Sequence, residues 1–107
     1  MRIVGDNSHA DREKGKRAVL AAVDAGYTLF DHADIYGGGE CESLFGEVLR
    51  ASPGLRDAIV IVGKCGIRFA GSPNDEDPTR YDFSIDHIIK SVEGSLQRLQ
   101  CGQLDLL

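Results

Sequence analysis

At 107 residues, with 42% hydrophobic and 27% charged side chains, the chain has the make-up of one small soluble domain with a real core. Its twelve Lys and Arg are scattered among seventeen Asp and Glu, for a net charge of -5, which argues against nucleic acid and membrane surfaces as partners. No apolar run approaches the roughly 18 residues that span a bilayer, and Arg2 leads into Gly5-Asp6-Asn7 where a signal peptide would turn apolar.

Cysteine usage points the same way. Cys41, Cys65 and Cys101 are odd in number and far apart, which suits neither a disulfide framework nor a paired-thiolate zinc site. The expectation is a reduced, cytoplasmic protein.

In chain order, Ile3 and Val4 are expected to be the tail of a strand. Asp11 to Ala25 then reads as a helix, with Ala18, Val19, Ala22 and Val23 on one apolar face. Ser8 or Asp11 can cap it, and Gly26 supplies a left-handed exit. Tyr27 to Phe30 reads as a short strand. The turn Gly37-Gly38-Gly39 leads into a second helix, Cys41 to Arg50, which Ser52-Pro53-Gly54 ends. The apolar run Ala58 to Val62 predicts a parallel strand buried on both faces. Cys65 to Phe83 reads as a long connection rich in Gly, Pro and Asp, with Arg68, Arg80 and the 74–77 run serving loop solvation and the loop itself an alternative wall of a substrate pocket, no residue being singled out for that role. Ser84 caps a third helix to Gln100, striped by Ile85, Ile88, Ile89, Val92, Leu96 and Leu99. Leu104 to Leu107 reads as the opening of another strand.

This alternation means consecutive βαβ units with right-handed crossovers. An open dinucleotide-binding sheet would carry a G-x-G-x-x-G fingerprint, and the contiguous glycines 37–39 do not match it. A (β/α)₈ TIM barrel fits the rhythm but needs roughly 200 to 250 residues to close. The fold class expected is therefore α/β, the N-terminal portion of such a barrel, running from the end of a first strand to the start of a fourth.

In parallel α/β proteins, reactive residues gather where strands end. Two such places stand out: Phe30-Asp31-His32-Ala33-Asp34-Ile35-Tyr36-Gly37 and Val62-Gly63-Lys64-Cys65-Gly66. Strands about 4.8 Å apart let an acid ending one meet a lysine ending the next. A lysine cation favours a phenolate, and a carboxylate keeps the lysine charged, so Asp31, Lys64 and Tyr36 can form a tunable general acid. Spacing alone leaves open a surface ion pair beside an ordinary loop tyrosine. A metal reading of Asp31-His32-Ala33-Asp34 is weaker, because neighbours on a strand end point to opposite faces. His32 is expected to pack or hydrogen-bond beside the site, Asp34 to be a loop acid, and Glu42 to support the second helix. Cys65 beside Lys64 could have a lowered thiol pKa, though a small buried cysteine is the commoner case.

The stretch Gly26-Tyr27-Thr28-Leu29-Phe30-Asp31-His32-Ala33-Asp34-Ile35-Tyr36 resembles the aldo-keto reductase signature, with the family's later glutamate and glycine matching Glu42 and Gly46 and its lysine matching Lys64. Asp-His-Ala-Asp-x-Tyr-Gly-Gly, with Lys64-Cys65-Gly66-Ile67 and Asp86-His87-Ile88-Ile89-Lys90-Ser91, further resembles the YdhF-like bacterial oxidoreductase subgroup. The resemblance implies NADPH-dependent reduction of an aldehyde or ketone, a small-molecule carbonyl substrate. Tyr36 would be the proton donor, Lys64 its modulator, and Asp31 the partner of Lys64 near the nicotinamide end of the cofactor. The family's fourth catalytic residue is a histidine just past the strand that opens at Leu104, and His9, His32 and His87 do not replace it. Two other readings remain: a non-catalytic nucleotide-binding or regulatory barrel subunit, and an inactive piece that self-associates through exposed barrel edges.

Overall fold

A computed structural model describes residues 1–107. Helix α1 (His9–Asp24) starts at Ser8, whose hydroxyl accepts from the Asp11 amide. Asp11 does a different job: its carboxylate accepts from the amides of Gly5 and Asn7, tying the incoming chain to the helix. Gly26, at φ +91°, turns the chain back toward β1 (Leu29–Asp31). A 3₁₀ turn, Tyr36–Gly39, then runs into α2 (Glu40–Ala51), and a short 3₁₀ turn, Arg56–Ala58, precedes β2 (Val60–Val62). Helix α3 (Ile85–Leu99) is capped by Ser84, whose hydroxyl accepts from the His87 amide.

Strands β1 and β2 pair in parallel, with Phe30 opposite Ile61 and Asp31 opposite Val62. The strand expected to open at Leu104–Leu107 takes its place on the far side of β2, reduced to a single parallel bridge, Val62 to Leu106. The open sheet and its helices are a segment of a (β/α)₈ barrel, as expected, with the sheet not closed.

Strand alternation sorts the side chains. Phe30 and Ile61 point to the helices and are buried with Val19, Leu44, Phe45, Val48, Leu49, Leu55, Ile59 and Leu99 in one core. The opposite face is open. Val60 is 40% and Leu29 58% exposed, so the expectation of burial on both faces is corrected. The run Ala58–Val62 is apolar enough for two covered faces, but helices cover only one of them here.

Three further differences appear. Ile3 and Val4 form no strand and instead pack against the core. The connection after β2 holds an antiparallel hairpin, β3 (Ile67–Arg68) with β4 (Arg80–Tyr81). Its charged residues are structural rather than merely solvated. Arg68 pairs with Asp82 at 2.8 Å, and Arg80 donates to the carbonyls of Ser72 and Pro78. Two-residue strands are too short for alternation to reveal them. No helix is long and apolar enough to cross a membrane.

Candidate active site

Parallel pairing places the two reactive strand ends side by side, and the ladder continues past the strands. The amide of His32 donates to the Val62 carbonyl at 2.8 Å, and that of Asp34 to the Lys64 carbonyl at 3.0 Å. Asp31 lies opposite Val62, and Lys64 follows two residues later on the same face. Their side chains meet above the open face, with Lys64 Nζ 2.5 Å from Asp31 Oδ1. The hydrogen bond from Lys64 holds the Asp31 carboxyl below the usual range, and the lysine charge adds to it. Both side chains are about half exposed, so water screens the pair and its net worth to stability is small.

Tyr36 completes the group. The Lys64 ammonium stands 5.3 Å from its ring centroid. Arg2 stacks over the same ring, its guanidinium carbon 4.6 Å from the centroid. Tyr36 opens the 3₁₀ turn, its amide donating to the Ala33 carbonyl at 3.1 Å. Gly37, Gly38 and Gly39 follow with φ of 60°, 63° and 96°. Three consecutive left-handed residues demand glycine, and they swing the chain from the sheet top into α2. The three glycines are thus the joint that aims Tyr36.

A cavity of about 330 Å³ opens beside these residues, lined by Arg2, Ile35, Tyr36, Lys64, Ile67 and Tyr81 among others. A phenol facing a cavity beside an ammonium and a carboxylate is an arrangement able to serve general acid chemistry on a bound carbonyl. The structure therefore brings together all three residues singled out in the sequence. Arg2 was missed, and the long connection, open to a pocket role, gave no sign that Ile67 and Tyr81 were the residues to fill it, since neither a lone N-terminal arginine nor a two-residue strand carries a periodic signal.

The neighbours sort as alternation requires. His32 points away from Asp31, fully buried, its ring edge-on to Phe45 with centroids 4.5 Å apart. Neither ring nitrogen has a hydrogen-bond partner. Burial drives its pKa down to about 4. Burial also raises the Asp34 carboxyl, with the charge of Glu42 adding to the effect. The Cys65 thiol is pushed up by burial and by Asp34, so its neighbour Lys64 does not activate it. Glu42, expected to support α2, is fully buried and receives a 2.7 Å hydrogen bond from Arg98 Nε. The sequence showed Glu42 at a helix start but gave no hint of Arg98, which lies 56 residues away.

The chain is similar to known proteins. Oxidoreductase YdhF of Escherichia coli is 50% identical over 86 residues, 79% of this chain and 28% of that protein. The 6-dehydroglucose reductase of Agrobacterium fabrum is 40% identical over 105 residues, 97% of this chain and 35% of that protein. The structure superposes with a TM-score of 0.76 on aldo-keto reductase AKR11C1 from Bacillus halodurans in its holo form, at 27% identity, covering 96% of this chain and 31% of the other. This chain thus spans about a third of the length of the relatives it matches. The aldo/keto reductase family profile matches residues 1–107, and the chain belongs to that family of oxidoreductases.

Proposed function

We propose that residues 1–107 are the front part of a carbonyl-reducing barrel, and that they supply Asp31, Tyr36 and Lys64 to an NADPH-dependent site for aldehydes or ketones. The observation that carries the proposal is the Lys64–Asp31 contact at 2.5 Å with the Tyr36 ring 5.3 Å from the same ammonium, all beside one cavity. An accessible carboxylate, an ammonium and a phenol fit the reacting end of a nicotinamide cofactor, with Asp31 and Lys64 the residues that would face it. When bound, that cofactor supplies the hydride no side chain can give.

Tyr36 then donates its phenolic proton to the carbonyl oxygen as negative charge builds there. Lys64 steadies the phenolate until water returns the proton. Asp31 holds the Lys64 ammonium within reach of the ring. The remaining strands and most of the cofactor grip come from the rest of the barrel. Three free cysteines suit a reducing cytoplasm.

Replacing Tyr36 by Phe in the full-length protein removes the proton and keeps the ring. Turnover should fall on the order of 10²-fold. A panel of aldehydes and ketones, sugar-derived carbonyls among them because a relative is a 6-dehydroglucose reductase, is the measurement. Equal turnover by the variant across that panel sinks the assignment. The open apolar sheet face favours a second reading for the 107 residues in isolation: self-association without activity.

A further inference from the structure

The proposed chemistry needs Tyr36 held beside Lys64, yet the turn that carries Tyr36 has three glycines and no N-cap side chain, and within α2 only Ser43 Oγ reaches it, donating to the Gly39 carbonyl at 3.3 Å. Arg2 stacks on the Tyr36 ring, but the glycine backbone itself needs a further contact to stiffen it. The contact comes from the far end of α3. A Cβ on Gly39 would lie 2.8 Å from Arg98 Cδ and 3.0 Å from its Nε, so the arginine stem rests directly on the backbone that ends the turn. A Cβ on Gly94 would lie 3.0 Å from an Arg98 terminal nitrogen. Two glycines therefore clear the path of one side chain.

Arg98 ends on Glu42, in the first turn of α2, with Nε 2.7 Å from Oε2. The glutamate is fully buried, and its other oxygen has no partner. Such a carboxylate cannot turn to solvent, so Arg98 is anchored from inside the fold. Its guanidinium also reaches Ser95 Oγ at 3.4 Å, and Asp34 and His87 face the same cleft. Removing the arginine would free the glycine turn on one side and strand Glu42 on the other.

We propose that Arg98 is a positioning residue for Tyr36, clamping the Tyr36–Gly39 turn through Gly39 and Glu42. This inference rests on the role proposed for Tyr36 only where activity is the readout. The clamp itself is independent of it. In the full-length protein labelled with 3-fluorotyrosine, Tyr36→Phe assigns the Tyr36 fluorine signal. Arg98→Met combined with Glu42→Leu removes the clamp without leaving a buried charge. The expected result is a shifted, broadened Tyr36 signal with the Tyr27 signal unchanged. Turnover should fall on the order of 10-fold or more with KM held, as expected of a misplaced reacting group. Arg98→Lys keeps the charge but cannot deliver Nε, and should give the same signature more weakly. It decides the matter if the double variant does not fold. An unaltered Tyr36 signal in a folded variant overturns the clamp, as does an equal change at Tyr27. A wild-type protein that reduces no carbonyl would instead overturn the proposed function, and the fluorine signal would still decide the clamp.

Discussion

His32 illustrates how one residue's placement can govern the response of this chain to acid. Its neighbour Asp31 faces the open side of the sheet, so strand alternation sends the imidazole into the core against Phe45. With both nitrogens unpartnered, the buried ring resists protonation, and its pKa drops from 6.5 to about 4. The unfolded chain therefore takes up this proton first as pH falls. The stability linked to His32 is complete above about pH 6.5 and drains away between there and pH 4, by up to about 3 kcal/mol. His32→Leu should flatten that part of the profile while leaving neutral-pH stability near wild type. Urea midpoints measured from pH 7 to 4 check it, and parallel curves for the two proteins would refute it. Asp31, with its carboxyl held low, adds a separate loss only below the ordinary carboxylate range. The sequence showed that His32 diverges from Asp31, because that follows from a two-residue period. It could not show that the ring would find no partner, which depends on what α2 brings against it.

Among the elements, the packing of α2 on α3 has the least slack. A Cβ on Gly46 would stand 2.2 Å from the Arg98 carbonyl oxygen and 2.9 Å from the Leu99 carbonyl carbon. These are backbone atoms at the end of a helix, and they cannot rotate away. Gly46→Ala should therefore cost about 3 kcal/mol or more, the upper range for overpacking, instead of the small gain a helical Gly→Ala change otherwise brings. Denaturant unfolding of the two proteins measures it, and a stabilised variant would show that α3 can back away. The same reasoning accounts for the glutamate and glycine four residues apart in α2. Glu42 receives Arg98, and Gly46 lets the last turn of α3 come near enough to deliver it. Both residues were visible in the sequence as parts of a signature. Their common partner was not, because α3 read as an apolar stripe and Arg98 lies off that stripe.

For the whole molecule, the decisive feature is a sheet covered on one face only. Leu29, Val60 and Leu106 lie exposed at 58%, 40% and 60%. In a closed barrel this face would look inward, and open to water it is adhesive. The 107-residue chain in isolation should elute from size exclusion larger than a monomer, with apparent size rising with concentration. Val60→Lys should shift it toward the monomer. A monomeric, cooperatively melting wild-type chain would count against self-association. The buried core lies wholly on the helix side, with Phe30, Phe45, Ile61 and Leu99 at its centre.

By itself the sequence determined the alternation of helices and strands, the parallel order of β1 and β2, and the meeting of Asp31 with Lys64 at adjacent strand ends. Each depends on local periodicity, on turn residues, or on the fixed spacing of parallel strands. Only the tertiary structure decided that Ile3 and Val4 pack without pairing, that the long connection folds into a hairpin over the cavity, and that Arg2 and Arg98 reach the tyrosine and its turn. Those outcomes depend on contacts between residues a dozen or more positions apart, and such contacts are set by shape and burial, which leave no period in the chain.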